Sequence, residues 1–550
     1  MKGKKLIITA LAIGSIISFF AFTSPGQRYF EIAKNLEIFS SLFKEVNGYY
    51  VDEVNPNETI KIGIDAMLAS LDPYTNYIPE NEIEDYRTQS TGQYAGIGAI
   101  TGRMDGKIMV IMLVEGFSAE KKGLQIGDQI IAVDGIDVTQ MDSEQIGELM
   151  KGQANTSVSL TVNRYGQDTP VTLELKREKV TIKNVPYYGL VGKDIGYIKQ
   201  TQFTMHAGKE VRDALKELKD KGAKKVILDL RGNPGGLLME AVNISNVFIP
   251  KGMEVVSTKG KITENNASYK TLSQPEDTDI PLAVLISSGS ASASEIVAGT
   301  IQDYDRGVII GEKSFGKGLV QQTRPLSYNA QLKVTTAKYY TPSGRCIQAL
   351  DYSHRNTDGS VGKVPDSLKR EFFTKNHRSV FDGGGIDPDV DVDHKDVAPI
   401  TYALYADGLL FDYATIYHSK HPEIASAANF SLTDEEYDAF ISWLDNQDYD
   451  YSTSAEETLS ELTEYAHKEK YYPEIEDQLS ALKNTLMKSK ANDLKDHKSQ
   501  LKALLEEEIT SRYYLESGSI ESTFDHDSDI KAAVELLNDS EKYKAILAGS

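Results

Sequence analysis

The sequence predicts a multidomain α+β protein, with a helical region at each end and a mixed α/β core between them. The chain has 550 residues, which is too long for one ordinary domain. Over residues 92–395, short apolar runs typical of strands alternate with turns and helical patterns. Beyond residue 395, Gly408, Gly518 and Gly549 are all that remain of 42 glycines, and the pattern is typical of charged amphipathic helices.

Composition narrows the classes of function. Hydrophobic residues make up 40% of the chain and charged residues 25%, as in a globular protein. The 59 basic and 81 acidic side chains give a net charge of −22, which argues against a nucleic-acid partner. Cys346 is the single cysteine, so the chain has no intrachain disulfide and no cysteine zinc site. The acidic stretch 387–393 lacks the glycine and glutamate of a calcium loop, and we predict no metal and no cofactor.

The first residues have the layout of an export signal. Lys2, Lys4 and Lys5 precede an uncharged apolar run over residues 6–22. That run is near the lower length limit for spanning a bilayer, so it could stay as an anchor. We therefore predict an exported protein of the cell envelope or periplasm, with residues 1–26 as a signal peptide or an inner-membrane anchor. The sequence leaves open whether the chain forms a homo-oligomer.

Residues 91–178 contain a glycine loop at residues 96–100, a Gly-Leu pair at residues 123–124 and a Gly-Asp pair at residues 127–128. With these features, the segment resembles a PDZ domain. PDZ domains add an extended peptide as an extra strand and hold its terminal carboxylate on backbone N–H groups. The resemblance implies that Gly96, Ile97, Gly98 and Ala99 bind a peptide carboxylate. One departure is Ser118, where the domain usually has proline, and another small β-rich domain without peptide binding is the alternative.

A candidate nucleophile lies between an apolar run at residues 282–286 and a helical pattern at residues 294–303. Ser292 at this junction would have an exposed hydroxyl, and the N–H of Ala293 could face an oxyanion. Lys317 lies in a Gly-Lys-Gly turn before a strand-like run, in which Gln321 would point to the same side. A lysine can act as a base only where desolvation lowers its pKa, and a glutamine side chain could orient it.

Two glycine-containing stretches allow competing interpretations. Residues 231–236 follow an apolar run and precede a helical pattern, so their N–H groups could cradle a phosphate, complete an oxyanion hole or form a plain turn. Residues 311–317 fit Gly-x-x-x-x-Gly-Lys, but Gly318 replaces the magnesium-binding serine or threonine, and an extended run follows. Nucleotide binding is therefore the weaker interpretation of both stretches.

Taken together, these motifs resemble the carboxyl-terminal processing proteases, also called tail-specific proteases, which are serine peptidases with an inserted PDZ domain. The resemblance covers about residues 30–395. The residues that carry it lie at positions 71–73, 228–236, 292–296, 311–318, 321 and 340–344.

The resemblance assigns a role to each candidate site residue. It implies Ser292 as the nucleophile, Lys317 as the general base and Gln321 as the orienting residue. It implies the N–H groups of Ala293 and Gly236 as oxyanion donors, with Gly235 as the alternative to Gly236. Ser290 and Ser294 are rival nucleophiles, and the 25-residue spacing to the lysine favours Ser292.

These motifs divide the chain into a helical region at 27–90, the PDZ-like domain at 91–178, a protease core at 179–395 and a helical accessory domain at 396–550. We predict an exported serine endopeptidase that recognises the free C-terminus of substrate proteins and needs no cofactor. A non-catalytic envelope scaffold and an ATPase built on residues 311–317 are the alternatives.

Overall fold

The computed structural model describes residues 25–356, 358–394 and 396–549. The apolar run at 6–22, on which the prediction of export depends, lies outside these residues. Within the described ranges, no helix combines the length and the apolar character needed to cross a bilayer.

The chain begins with helices. The first elements, in order, are α1 (Pro25–Tyr49), α2 (Pro56–Ala69), β1 (Asn76–Ile78) and α3 (Ile83–Thr91). Pro56 opens α2, and the side chain of Asn55 accepts hydrogen bonds from the N–H groups of Asn57 and Glu58. This cap satisfies N–H groups that have no partner inside the helix, so it fixes where α2 begins.

The PDZ-like domain is inserted between two strands that pair with each other. Its elements are β2 (Gln93–Gly96), β3 (Ala99–Met104), β4 (Lys107–Leu113), α4 (Ser118–Lys121), β5 (Gln129–Val133), β6 (Ile136–Asp137), α5 (Ser143–Met150), β7 (Ser157–Asn163), β8 (Val171–Lys176) and β9 (Glu178–Thr181). The entering strand β2 and the leaving strand β9 are antiparallel. The main sheet has the order β3-β4-β5-β7-β8, which leaves β3 at an edge.

The region predicted as the protease core is built on a six-stranded sheet. The elements of this region are β10 (Tyr187–Val191), β11 (Ile195–Lys199), α6 (Ala207–Asp220), β12 (Lys225–Asp229), α7 (Leu238–Phe248), β13 (Glu254–Gly260), β14 (Ala267–Lys270), β15 (Leu282–Ile286), α8 (Ala293–Asp303), β16 (Val308–Gly311), β17 (Leu319–Pro325), β18 (Gln331–Tyr340), β19 (Leu350–Arg355), β20 (Val361–Lys363), β21 (Glu371–Phe373), β22 (Ser379–Phe381) and β23 (Val390–Asp391). The sheet order is β10-β11-β12-β15-β16-β23, parallel from β11 onward.

The helical tail follows the core. Its elements are α9 (Pro399–Ala406), α10 (Leu409–Lys420), α11 (Asp434–Leu444), α12 (Ser454–Lys468), α13 (Tyr472–Lys490), α14 (Asp493–Asp496), α15 (Lys498–Ser522), α16 (Ser528–Asn538) and α17 (Ser540–Ala548). Apolar side chains of α9, α10, α11 and α15 form one buried cluster. Phe411 of α10 instead packs into the hydrophobic core of the PDZ-like domain.

Both faces of the core sheet are buried, which explains the unbroken apolar runs of its strands. Val226 and Leu228 point to the face that packs against α6, α7 and α8. Ile227, between them, points to the opposite face, where it packs with Ile530 and Leu537 from α16. The last two helices of the tail therefore cover the core sheet, and the predicted fold class, a mixed core with an inserted PDZ domain between helical ends, is confirmed.

Candidate active site

Ser292 lies at the turn between β15 and α8, so the predicted strand-to-helix junction is confirmed. Its backbone has φ 53° and ψ −109°, a conformation that residues other than glycine rarely adopt. The two neighbouring serines are buried, and their hydroxyls donate to the carbonyl oxygens of Leu230 and Asn233 at 2.9 and 2.8 Å. Ser292 remains partly exposed, unlike Ser290 and Ser294.

The glycine loop at residues 231–236 is pressed against this serine turn. The N–H of Ala291 donates to the carbonyl of Asn233 at 3.0 Å. A Cβ on Gly235, whose φ is 97°, would lie 2.8 Å from the backbone nitrogen of Ala293. That distance is too short for a carbon atom, so glycine is required where the two segments meet. Asn233 is a site residue that the sequence analysis missed.

The predicted oxyanion donors differ in how their N–H groups are used. The N–H of Gly235 donates to the side chain of Asn233 at 2.9 Å. Within the described ranges, the N–H groups of Gly236 and Ala293 donate to no hydrogen-bond acceptor. This geometry favours Gly236 over Gly235 as the partner of Ala293 in an oxyanion hole.

A buried carboxylate joins the turn that contains Ser292, the serine turn, to the turn that contains Lys317, the lysine turn. Glu295 Oε2 accepts hydrogen bonds from the N–H groups of Ser292 and Lys317 at 2.8 and 2.9 Å. Its Oε1 accepts from Ser314 Oγ at 2.6 Å and from the N–H of Gly316 at 2.7 Å. Because one oxygen binds both backbone nitrogens, residues 292 and 317 are held side by side despite their separation in sequence.

Glu295 was also missed as a site residue, although a signal was present. A serine followed three residues later by glutamate at a helix start is the pattern of a capping box. The side chain is fully buried, and burial raises the pKa of Glu295 to about 7, while its hydrogen bonds act in the opposite direction. The pattern predicts the local bond to Ser292, but the bonds to Gly316 and Lys317 depend on tertiary structure.

Lys317 lies in the turn between β16 and β17 and is half-buried. Because an extended strand follows this turn, it lacks the helix of a P-loop, and the nucleotide interpretation of residues 311–317 is wrong. Gln321 lies on β17, and its Nε2 donates to Thr335 Oγ1 at 3.1 Å. Tyr339 ties the two turns together, because its hydroxyl donates to the carbonyl of Ser292 and its N–H to that of Gly318.

The predicted carboxylate loop of the PDZ-like domain borders a largely apolar cavity of about 430 Å³. Gly96, Ile97 and Ala99 line it, together with Met150 of α5. In the part of the chain that the structure describes, the N–H groups of Ile97 and Gly98 donate to no hydrogen-bond acceptor. The loop could therefore offer donors to a ligand carboxylate beside an apolar pocket.

Ser118 has a specific local role. Its Oγ accepts a hydrogen bond from the N–H of Lys176 on β8 at 2.7 Å. A proline at this position would lack that acceptor, so the departure from the PDZ pattern adds a tie between α4 and the sheet.

A cluster of ion pairs anchors the tail beside the glycine loop at residues 231–236. Arg231, at the start of the loop, contacts Asp529 at 2.8 Å and Asp527 at 2.7 Å, both from the start of α16. On its other side it contacts Asp229 of β12 at 2.6 Å. The loop that holds the candidate oxyanion donor Gly236 is therefore fixed by two parts of the chain that are far apart in sequence, β12 and the start of α16.

We expect Asp529→Ala to lower the free energy of unfolding by about 2–3 kcal/mol, because it removes a buried, charged hydrogen-bond partner of Arg231. Urea unfolding measures the change. Asp525→Ala is the matched control, since Asp525 is exposed in the same segment. Equal stability of the two variants would contradict the role of the cluster.

Comparisons with known proteins match the three main parts of the chain. Residues 194–353 match peptidase family S41, residues 113–164 match a PDZ domain, and residues 400–537 match the C-terminal helical domain of probable PDZ-proteases. A putative S41 protease of known structure from Bacteroides fragilis is 16% identical, with a TM-score of 0.37, and the match covers 65% of this chain and 90% of that one.

Two curated relatives match over longer segments. A carboxy-terminal-processing protease of Bartonella bacilliformis is 37% identical over 321 residues, which are 58% of this chain and 73% of the relative. A probable CtpA-like serine protease of Staphylococcus aureus is 35% identical over 349 residues, which are 62% of this chain and 69% of the relative. The chain therefore belongs to the carboxy-terminal-processing proteases, a family of serine-type proteases with a PDZ domain.

Proposed function

We propose that this chain is an exported endopeptidase that captures the free C-terminus of a substrate protein and cleaves the substrate with Ser292 and Lys317. The capture site is the PDZ groove, by which we mean the 430 Å³ cavity lined by Ile97 and Met150. The observation that carries the proposal is the meeting of three segments, the serine turn, the lysine turn and the glycine loop. Glu295 joins the first two, and Asn233 joins the first and third.

In the acylation step, Ser292 Oγ attacks a peptide carbonyl carbon while the uncharged amine of Lys317 accepts the hydroxyl proton. Negative charge moves to the carbonyl oxygen, where the N–H groups of Ala293 and Gly236 would stabilise it by about 3 kcal/mol per donor. The C–N bond then breaks, and Lys317 returns the proton to the leaving amine. An acyl-enzyme on Ser292 and a shortened product with a new N-terminus result.

In the second step, water attacks the acyl-enzyme and Lys317 again accepts and returns a proton. Gln321 would orient the lysine in both steps. Its amide nitrogen is already committed to Thr335, which leaves Oε1 as an acceptor for an amine. No cofactor takes part in this proposal.

Labelling with a fluorophosphonate probe, followed by mass spectrometry of the modified peptide, tests the nucleophile. We expect the label on Ser292 in the wild type and no label in Ser292→Ala. A label on Ser290 or Ser294 would overturn the assignment. A wild type that neither reacts with the probe nor cleaves any unfolded protein would favour the scaffold alternative.

Capture of the C-terminus predicts a dependence on the substrate's carboxylate. A peptide that ends in a C-terminal amide should be cleaved with a kcat/KM about tenfold or more below that of the free acid, because the N–H groups of Ile97 and Gly98 lose a charged acceptor. Steady-state assays of the matched pair measure this ratio. Equal cleavage of both peptides would rule out carboxylate capture and leave the chemistry at Ser292 untouched.

We also propose export to the cell envelope, with residues 6–22 either removed or kept as an inner-membrane anchor. The support is the basic start followed by an uncharged apolar run. Fractionation of cells that express the full chain, with N-terminal sequencing, distinguishes the two forms. Recovery of the uncleaved chain in the cytosol would disprove export.

A further inference from the structure

Helix α15 reverses direction at Leu515. This residue has φ 56° and ψ −150°, whereas the turns on either side are helical. Ser519 Oγ nevertheless donates to Glu507 Oε1 at 2.9 Å. In a straight helix, residues twelve positions apart are about 18 Å apart along the axis, so the chain must fold back between them. We call residues 513–518 the tail bend.

Contacts on both sides hold the tail bend in place. Before the reversal, the hydroxyl of Tyr514 donates to the carbonyl of Ala425 at 3.0 Å, and Arg512 donates to the carbonyl of Phe411 at 2.8 Å. After it, Gly518 packs so closely that an added Cβ would lie 2.4 Å from the Cβ of Tyr514. Specific hydrogen bonds and close packing within the helical domain therefore stabilise the reversal.

The tip of the tail bend lies at the PDZ groove. Leu515 packs against the hydrophobic core of the PDZ domain. Leu515, Glu516 and Ser517 line the same 430 Å³ cavity as Ile97 and Met150. An apolar side chain from the chain's own tail thus meets the pocket beside the carboxylate loop.

We infer that the tail bend is a built-in gate, in which Leu515 takes part of the pocket that the last side chain of a substrate needs. The inference rests on the proposed capture of C-termini. Leucine rarely adopts the backbone conformation that it has here, so backbone strain offsets part of its contact with the groove. A contact weakened in this way can be displaced by a ligand that supplies both an apolar side chain and a carboxylate.

A gate and a fixed pocket wall predict opposite changes in ligand affinity when the side chain of Leu515 is removed. If Leu515 competes with the ligand, its removal raises the fraction of open grooves and tightens binding. If Leu515 is instead a wall that contacts the ligand, its removal weakens binding. Glycine is the informative replacement, because it removes the side chain and adopts the observed backbone conformation without strain.

The experiment uses the full chain with Ser292→Ala, so that the ligand is not cleaved. Fluorescence anisotropy measures the Kd of a short labelled peptide that ends in leucine, as the free acid and as the amide. We expect the Kd of Leu515→Gly for the free acid to be lower than that of the parent by a factor of about ten or more. This factor corresponds to a parent protein in which at most about a tenth of the grooves are open. Leu462→Ala, at an exposed leucine of the same helical domain, should leave the Kd unchanged.

A second variant guards against misfolding of Leu515→Gly. Tyr514→Phe deletes the hydroxyl that holds the bend to residue 425 and leaves the side chain of Leu515 in place, so it should also tighten binding, by a smaller factor. Unchanged or weaker binding in the folded variants, with the preference for the free acid intact, would overturn the gate and leave capture standing. Equal binding of acid and amide, or no binding, would overturn capture and the gate with it.

Discussion

Lys317→Met is expected to reduce kcat/KM by about a thousandfold or more while the protein stays folded. Methionine keeps a similar volume but cannot accept the proton of Ser292. The backbone N–H of residue 317 still bonds to Glu295, so the lysine turn should keep its position. Cleavage of an unfolded protein substrate measures the loss, and thermal unfolding checks the fold.

Lys313→Met is the matched control, because Lys313 lies in the same connection between β16 and β17 and pairs with Asp387 at the surface. It should retain nearly full activity. A Lys317→Met enzyme that hydrolyses proteins as fast as this control would disprove the proposed base.

The second large effect is expected for Glu295→Gln. The carboxylate accepts four hydrogen bonds, and glutamine turns one of its two oxygens into an NH₂ donor that faces donors. At least one buried backbone N–H then loses its acceptor, which destabilises the fold by about 1–3 kcal/mol. Displacement of the serine and lysine turns by about 1 Å would lower kcat by a further hundredfold.

Comparison with Glu312→Gln separates this effect from a general loss of charge. Glu312 is partly exposed and directly follows β16, in the connection that leads to Lys317. We expect kcat to fall in Glu295→Gln and to be nearly unchanged in Glu312→Gln, with similar KM in both. Retention of wild-type kcat by Glu295→Gln would show that the buried carboxylate does not position the site.

Local sequence predicted much of the fold because its signals act over a few residues. The Asp134-Gly135 pair between two apolar runs is a hairpin signal, and it forms the turn between β5 and β6 with positive φ angles at both residues. The run before Ser292 and the helical spacing after it placed the nucleophile candidate at a strand-to-helix turn. The glycine after Lys317 and the extended run beyond it already argued against a P-loop.

The residues that the sequence analysis missed act through contacts far apart in the chain. Asn233 reaches Ala291, and Arg231 reaches Asp529. Asn233 accepts this bond through its backbone carbonyl, and neither a backbone carbonyl nor a charged side chain gives a periodic signal that identifies a distant partner. For the same reason, nothing in the amphipathic pattern of the tail indicated that α16 would cover the protease sheet.

By itself, the sequence determined the strands, the helices and the glycine turns, because backbone preferences and apolar spacing are properties of neighbouring residues. The tertiary structure alone decided that one buried carboxylate holds the turns of Ser292 and Lys317 together, and that Leu515 reverses a helix at the PDZ groove. Both features need segments that meet only when the sheet, the inserted domain and the tail pack together. Burial then fixes which polar groups must find partners.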